Sequence, residues 1–225
     1  MSRLAYRCLV LDHDDTVADS TRAIHYPAYL AFMRELRPLA EPLSFAGWMR
    51  KNFYPGIMPF LTDEVGLDEL ELEREYEIWR SFSVANDPPF FDGILQFLSD
   101  YRGAGGIVAV VSHSEAEIIT RNYRVASNGR FEPDAVYGWE LPAERRKPSS
   151  WPVLDVVRRY DLEPKAVLVV DDLKPGVDMA RSAGVAVAGA GWGYDIPEIE
   201  ERMRSECDYY FSRVVELTEH VLNLE

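Results

Sequence analysis

The sequence has few cysteines, no long apolar run and a shortage of positive charge. Only 2 cysteines occur among 225 residues, Cys8 and Cys207, which predicts buried free thiols in a reducing compartment and excludes a disulfide framework. No stretch approaches the ~20 apolar residues of a membrane span, and the first residues lack the apolar region of a secretory signal. We therefore expect a cytoplasmic protein that does not bind or enter a membrane.

Acidic residues outnumber basic ones, with 38 Asp and Glu against 24 Lys and Arg and a formal net charge of −14. A field of that sign repels nucleic acid and anionic membrane surfaces, so neither is an expected partner. An anionic substrate would need a local cation to hold it. The chain is nevertheless rich in core-forming residues, since 47% are hydrophobic and 12% aromatic, which predicts a folded protein.

Short apolar runs separated by helical patterns predict the fold class. The runs are apolar on both faces and contain many β-branched residues, which is typical of buried strands in a parallel sheet. The predicted strands are Tyr6–Leu11, Gly106–Val111, Ala166–Val170, Val185–Ala188 and a last short one at Cys207–Phe211. The predicted helices are Phe91–Tyr101, Glu115–Ala126, Trp151–Tyr160, Pro175–Ala183 and a last amphipathic one that carries Val214, Leu217, Val221 and Leu222. The alternation predicts an α/β fold with a doubly wound parallel, Rossmann-like sheet, whose ligands bind beyond the carboxyl ends of the strands.

The first two predicted strands are separated by far more chain than the ~30 residues that one strand–helix–strand unit needs. The extra chain has helical apolar periodicity and is divided by prolines. We therefore divide the sequence into a core domain, residues 1–18 and 91–225, and an inserted α-helical domain, residues 19–90.

Two carboxylates end the first predicted strand. Asp12 and Asp14 are two positions apart, and in an extended chain such residues point the same way, so their carboxylates can converge. A bound divalent cation would remove the electrostatic penalty of that convergence. The alternative is an acidic turn or helix cap in which the carboxylates accept backbone amide hydrogen bonds.

A second acidic pair, Asp171 and Asp172, follows the predicted strand Ala166–Val170. Carboxylate oxygens from two neighbouring strand ends are ligands that Mg²⁺ prefers, with water and a phosphate in the remaining positions. Capping of the next helix by one Asp is the alternative, and it explains only one of the two residues. The sequence therefore predicts a Mg²⁺ site at this edge of the sheet.

Three further polar residues lie at predicted element ends. Ser112 ends the second strand, where its hydroxyl and the amides of the next helix could bind a phosphate, although a strand-end serine is more often structural. Ser114 and Glu117 predict a capping box for that helix, which leaves Ser112 available. Lys147 lies before the strand that carries the second acidic pair and is a candidate counter-charge for a phosphate.

Four motifs follow one another along the chain. An Asp-x-Asp-x-Thr pattern after an apolar strand is formed by Asp12, Asp14 and Thr16, and the strand-end serine and the Lys-Pro pair are Ser112 and Lys147-Pro148. The acidic motif and the helix end that follows it comprise Asp171, Asp172, Gly176 and Ala183-Gly184. In this order the sequence resembles the haloacid dehalogenase (HAD) superfamily, specifically its phosphatase-like hydrolases with a helical cap inserted after the first strand.

The resemblance implies a mechanism and a role for each of these side chains. Asp12 would attack phosphorus and form an aspartyl-phosphate, and Asp14 would act as general acid and then as general base. Thr16 and Ser112 would hold phosphate oxygens, while Lys147 would stabilise charge on the nucleophile and the phosphoryl group. The Mg²⁺ ligands would be Asp12, the backbone carbonyl of Asp14, and Asp172, with Asp171 in support.

On this resemblance we expect a Mg²⁺-dependent phosphomonoester hydrolase that acts on a small phosphorylated metabolite, as a monomer or a homodimer. The alternatives are a sugar-phosphate mutase of the same superfamily and a non-catalytic binding or regulatory protein on this scaffold. Two positions depart from the family pattern: Asp15 stands where most members have glycine, and Leu173 stands where serine is usual.

The cap, residues 19–90, would select the substrate. Some of its aromatic side chains could line a pocket, and the alternative is that they form the core of the cap itself. The candidates are Tyr26, Trp48, Phe53 and Tyr54.

Overall fold

The computed structural model of the protein describes residues 4–222. The chain forms two compact units, of which the smaller is Ser20–Pro88 and the larger combines Met1–Asp19 with Pro89–Glu225. The cap role that the resemblance assigns to residues 19–90 stays a prediction, because compactness alone does not identify a role. Within residues 4–222, no helix has both the length and the apolar character that crossing a membrane requires.

The smaller unit is helical. It contains α1 (Tyr26–Leu36), α2 (Phe45–Phe53), the single turn α3 (Ile57–Pro59) and α4 (Glu69–Ala85), with π-helical turns at Thr21–His25 and Phe60–Glu64. The longest helix, α4, begins with a capping box in which Asp68 and Glu71 each accept a hydrogen bond from the other's backbone amide.

Stacked aromatic rings form the core of the smaller unit. Tyr29 of α1 lies 4.4 Å from Trp48 of α2, measured between ring centroids. Trp48 and Phe53 are buried, whereas Tyr54 is 71% exposed. The Tyr26 hydroxyl donates to the Leu43 carbonyl at 2.9 Å. Trp48 and Phe53 therefore belong to the unit's own core, as the alternative interpretation of these residues held.

The larger unit is built on one six-stranded parallel sheet. Its strands are β1 (Cys8–Leu11), β2 (Ile107–Val111), β3 (Ala135–Tyr137), β4 (Val167–Asp171), β5 (Ala186–Ala190) and β6 (Tyr209–Phe211). In space they lie in the order β3-β2-β1-β4-β5-β6, and every neighbouring pair is parallel. The chain winds outward from β1 in both directions, so the predicted doubly wound, Rossmann-like α/β fold is confirmed.

In the described part of the chain, five helices of this unit each precede the next strand, and a sixth follows β6. They are α5 (Ile94–Gly103), α6 (Ala116–Ala126), α7 (Trp151–Arg159), α8 (Lys174–Ala183), α9 (Pro197–Glu206) and α10 (Val214–Leu222). All four residues of β1 are at most 1% exposed, and the apolar sides of α5, α6 and α10 pack into the same core. Burial on both sheet faces explains why the strands are continuous apolar runs. Cys8 is a buried free thiol, while Cys207, also free, is only half-buried.

Strand register decides which residues share one edge of the sheet. Leu11 at the end of β1 pairs with Val110 of β2 and with Val170 of β4. The residues that follow these three strands therefore leave the sheet at the same edge. Because the strand order diverges between β1 and β4, this edge is also the topological switch point where open α/β sheets bind their ligands.

Candidate active site

The carboxyl ends of β1 and β4 bring three carboxylates together. Asp12 directly follows β1, Asp171 is the last residue of β4, and Asp172 follows it. The Asp12 amide donates to the Val170 carbonyl at 2.9 Å, which extends the pairing of the two strands by one residue. The three side chains are buried and each offers one oxygen within 4.8 Å of the other two. The predicted convergence of acidic residues from two strand ends is therefore present.

Lys147 supplies positive charge to this cluster. Its Nζ donates to Asp12 Oδ1 at 2.5 Å and to Asp171 Oδ2 at 3.0 Å. Burial by itself would lower the pKa of Lys147, but the charges of Asp12 and Asp171 outweigh that effect and hold the pKa above its usual value. Lys147 therefore stays an ammonium ion.

One ammonium does not balance three buried carboxylates. Burial raises the pKa of Asp12 to about 8, with Lys147 opposing the rise and Asp171 and Asp14 adding to it. Burial also raises the pKa of Asp172 well above its usual value, and the charges of Asp12 and Asp171 add to that effect. The cluster therefore favours uptake of positive charge, as a proton or as a metal cation.

Asp172 has one carboxylate oxygen that the protein leaves unsatisfied. Thr16 Oγ1 donates to Asp172 Oδ1 at 3.2 Å. Among residues 4–222, no donor reaches the buried Asp172 Oδ2. A buried carboxylate oxygen without a donor is costly, so this atom is a candidate metal ligand. Thr16 bonds this carboxylate, and its predicted contact with a phosphate stays a prediction.

Asp14 is held by two hydroxyl groups. Its Oδ2 accepts hydrogen bonds from Ser112 Oγ at 2.8 Å and from Ser114 Oγ at 2.9 Å. The structure therefore brings Ser112 to the predicted acid–base residue. The capping box predicted for Ser114 and Glu117 is wrong, because the N-cap residue of α6 is Glu115, whose own side chain makes no capping hydrogen bond. Ser114 contacts Asp14 instead.

The backbone of Asp15 explains one departure from the family pattern. Asp15 is buried and has φ of +57°, in the left-handed region that glycine adopts most easily. Its amide donates to the Ala18 carbonyl at 2.7 Å, which closes the turn after β1. Asp is among the residues that tolerate this region, so the turn forms without glycine.

Glycine at position 176 allows α8 to approach the site. A Cβ atom at Gly176 would lie 2.0 Å from Asp171 Oδ2, the oxygen that accepts the Lys147 hydrogen bond. The other oxygen, Asp171 Oδ1, accepts the Leu173 amide at 3.0 Å. Both Asp171 oxygens therefore bond protein donors, and any side chain at position 176 would displace that carboxylate.

Three residues that contact the candidate site were not assigned to it from the sequence. After β5, Trp192 Nε1 donates to the Thr16 carbonyl at 3.0 Å, and the Tyr194 hydroxyl donates to the Asp172 carbonyl at 2.9 Å. Ser114 is the third. The only sequence signal for Trp192 and Tyr194 was their place beyond the carboxyl end of a strand, which many loop residues share.

His113 supports Lys147 through the backbone. Its Nε2 lies 2.9 Å from the Lys147 carbonyl oxygen. Burial lowers the pKa of His113 to about 4, and Lys147 adds to that effect, so the ring is neutral near pH 7. A neutral ring that faces a carbonyl donates its hydrogen to it, so His113 fixes the segment that carries Lys147.

Comparison with known proteins identifies the family. Residues 6–184 match the family described as haloacid dehalogenase-like hydrolase. The chain belongs to this family. A phosphoglycolate phosphatase of Nitrosospira multiformis is 24% identical over 221 residues, which cover 96% of this chain and 95% of that protein. The predicted resemblance is therefore confirmed, and the chain is a hydrolase of this family.

Solved structures of haloacid dehalogenase-like proteins have the same fold. A hydrolase from Bacteroides fragilis superposes with a TM-score of 0.77 at 20% identity and covers 94% of this chain and 99% of its own. One from Streptococcus pneumoniae superposes with a TM-score of 0.73 at 18% identity and covers 95% of this chain and 97% of its own.

Proposed function

We propose that this hydrolase is a Mg²⁺-dependent phosphatase that cleaves a small phosphorylated metabolite through an aspartyl-phosphate. The observation that carries the proposal is the buried contact of Lys147 with Asp12 and Asp171, beside the unsatisfied Oδ2 of Asp172. This arrangement combines a carboxylate nucleophile, a fixed cation and oxygen ligands for a metal at the ligand-binding edge of the sheet. The arrangement fits the acid–base and phosphoryl-transfer chemistry that the four motifs predict.

The residues present fit a Mg²⁺ ion. The donor set consists of carboxylate oxygens, which Mg²⁺ prefers over nitrogen or sulfur. The three oxygens lie within 4.8 Å of one another, and ligands of an octahedral ion with bonds of about 2.1 Å lie roughly 3–4 Å apart, so a small inward shift suffices. Asp12 and Asp172 would hold the ion. Asp171, whose two oxygens already bond Lys147 and Leu173, would support them.

The first half of the reaction forms the phosphoenzyme. Bound Mg²⁺ would orient the phosphate and offset its negative charge. A carboxylate oxygen of Asp12 attacks phosphorus, the bond from phosphorus to the leaving oxygen breaks, and Asp14 donates its proton to that oxygen. Lys147 holds the Asp12 carboxylate in place and balances charge as the phosphoryl group transfers.

The second half returns Asp12 to its starting state. A water oxygen attacks phosphorus, the bond between phosphorus and Asp12 breaks, and Asp14 takes the proton from the water. Ser112 and Thr16 donate to Asp14 and Asp172 in this structure, and each would turn its hydroxyl hydrogen to a phosphate oxygen when the substrate binds. Inorganic phosphate is the product.

The relatives suggest which substrate to test first. Four curated relatives at 22–25% identity are named phosphoglycolate phosphatase, so phosphoglycolate heads the panel. The cytoplasmic location, the monomer or homodimer, and substrate selection by the cap, residues 19–90, remain predictions of the sequence.

The fate of the phosphoryl group tests the proposal. The experiment traps the enzyme by rapid quench with a labelled phosphoryl donor and Mg²⁺, then follows label during a chase in water with or without an acceptor sugar phosphate. We expect label on the wild-type chain, none on Asp12→Asn, and decay to inorganic phosphate at the same rate with and without acceptor.

The other outcomes contradict the proposal in different ways. A phosphoenzyme that persists until a sugar phosphate arrives identifies a mutase, which shields the aspartyl-phosphate from water. A chain that binds phosphate but never takes up label is a binding protein. Label that persists on Asp12→Asn places the nucleophile elsewhere.

A further inference from the structure

The hydroxyl of Ser114 has no role in the helix that follows it. The side chain of a serine just before a helix usually accepts a hydrogen bond from an amide of the first turn. Here the first amide of α6, that of Ala116, donates to Glu140 Oε2 at 3.2 Å. The Ser114 hydroxyl instead donates to Asp14 Oδ2, across 100 positions of sequence.

Ser112 and Ser114 form a unit around Asp14. The Ser114 amide donates to Ser112 Oγ at 2.9 Å, so the single hydroxyl hydrogen of Ser112 is directed away from that amide and toward Asp14. Both hydroxyls are buried, and both bond the same carboxylate oxygen. Two donors to one oxygen fix the plane of the carboxyl group, since rotation about its bond to Cβ would break both hydrogen bonds.

We propose that Ser114 is a positioning residue for Asp14, holding its carboxyl group in the orientation for proton transfer to the leaving oxygen. The inference rests on the proposed phosphatase function and on Asp14 as its general acid. When Ser112 turns to the phosphate, Oδ2 still accepts the Ser114 hydroxyl hydrogen, so the transferred proton moves on Oδ1. Ser114 does not touch the substrate and acts only through Asp14.

A positioning role predicts a dependence on the leaving group. A strongly basic leaving oxygen needs the proton as its bond to phosphorus breaks, whereas a weakly basic one departs without it. Loss of the Ser114 hydroxyl should therefore slow cleavage of phenyl phosphate and spare dinitrophenyl phosphate. A merely structural role would lower both rates by the same factor, because it would change only the fraction of active enzyme.

The experiment measures kcat/KM for a series of substituted phenyl phosphates with saturating Mg²⁺. This parameter includes only steps up to formation of the phosphoenzyme, so the later attack of water does not contribute. For Ser114→Ala we expect about a 10- to 100-fold loss on phenyl phosphate, the range for one hydrogen bond to a charged group, and less than about 3-fold on dinitrophenyl phosphate. The ratio of the two rates is taken on one sample and does not depend on its folded fraction.

Two further variants serve as rescue and control. Ser114→Thr keeps the hydroxyl and should restore the wild-type ratio. Thr120→Ala removes a hydroxyl that donates to the Ala116 carbonyl within α6, at 2.7 Å, and should leave the ratio unchanged. Asp14→Asn should show the largest change in the ratio, because it removes the acid itself.

The outcomes separate the two proposals. If the ratio of the two rates in Ser114→Ala equals that of the wild type, the positioning role is overturned. A changed ratio in Asp14→Asn would still support the proposed function. The positioning role is also overturned if Ser114→Ala and Thr120→Ala change the ratio of the two rates by the same amount. Loss of any hydroxyl in or near α6 would then have this effect. A wild-type chain that cleaves no phosphate ester, or an Asp14→Asn ratio equal to that of the wild type, overturns the proposed function instead.

Discussion

The two compact units differ in how deeply their ion pairs are buried. In the larger unit, Lys147 pairs with Asp12 and Asp171, and all three side chains are at most 6% exposed. In the smaller unit, Arg74 pairs with Glu35 while both side chains are almost half exposed. A buried pair must overcome a large desolvation cost, whereas an exposed pair loses little and gains little. The buried charges therefore add little to stability, which agrees with the chemical role proposed for them.

The cluster in the larger unit also contains more buried carboxylates than ammonium groups. Asp172 lies beside the Lys147 pairs and raises the count to three acids for one ammonium. Until a cation binds, repulsion between these carboxylates lowers the free energy of unfolding. Enzymes commonly lose stability in this way at residues that their activity requires. Removal of charge from it should abolish activity without unfolding the chain.

The largest expected effect is that of Asp12→Asn. An amide cannot act as the anionic nucleophile, so phosphatase turnover should be abolished. In excess chelator the unfolding temperature should equal or exceed that of the wild type, because a buried carboxylate has been removed. Steady-state assays and thermal melts check both parts. Wild-type activity in this variant would place the nucleophile at another residue.

Removal of the metal should have the next largest effect. Activity should disappear in excess chelator and return with Mg²⁺, while Ca²⁺ should inhibit because its longer bonds and higher coordination numbers misplace Asp12. Mg²⁺ at 100 times its Kd should stabilise the chain by about 2.7 kcal/mol, and Asp172→Asn should lose that gain. Full turnover in chelator, or an equal Mg²⁺ effect in Asp172→Asn, would contradict the metal assignment.

A smaller effect should follow from Tyr194→Phe. The variant removes the hydrogen bond to the Asp172 carbonyl but keeps the ring. Residues that orient metal ligands typically contribute about 10- to 100-fold to metal affinity, so we expect at least about a 10-fold weaker Mg²⁺ affinity with activity restored at high Mg²⁺. Calorimetric titration of Mg²⁺ measures it. An unchanged affinity would limit Tyr194 to packing.

The sequence predicted the sheet and the convergence of acidic residues at its edge because both depend on local patterns. Buried parallel strands are recognisable as apolar runs, and register then places their last residues at one edge. Asp12, Ser112 and Asp171 could therefore be assigned to one site from the order of the residues alone. Two elements lacked such a pattern. Strand β3 has three residues, and α9 buries only Ile199 and Met203.

The contacts that the sequence missed are tertiary. Ser114 and Glu117 have the spacing of a capping box, but a hydroxyl can also bond a distant carboxylate, and here Asp14 competes successfully for it. Trp192 and Tyr194 act on backbone carbonyls of Thr16 and Asp172. A carbonyl acceptor exists at every residue, so no residue type marks such a contact in advance.

The smaller unit also contains a partly buried acid, Glu75 of α4, which has no part in the proposed chemistry. Burial raises the pKa of Glu75 from 4.5 to about 7, and His25 opposes the rise. Trp79 Nε1 donates to His25 Nδ1 at 2.9 Å and fixes that ring. The folded chain thus binds the Glu75 proton more tightly than the unfolded chain does. This contribution to stability is complete below about pH 4.5 and is lost as the pH rises through 7.

Glu75→Gln should remove that pH dependence. At pH 8 the variant should be more stable than the wild type by on the order of 2 kcal/mol, and at pH 4.5 the two should be nearly equal. Urea unfolding at both pH values gives the double difference, which cancels every other titrating group. A variant whose stability changes with pH as the wild type's does would show that Glu75 is solvated in the folded chain.

The smallest effect is expected for Glu35→Gln, which removes one charge of the exposed ion pair. The two Glu35 oxygens accept hydrogen bonds from Arg74 at 2.7 and 3.2 Å. These bonds lower the pKa of Glu35, yet the group is exposed, so water replaces the pair at little cost. Arg74 also keeps its contact with Glu77 at 2.8 Å. We expect unfolding temperature and kcat/KM to equal those of the wild type at both low and high salt. If Glu35→Gln lost as much stability as Glu75→Gln gains, exposure would not decide which charged groups affect the free energy of unfolding.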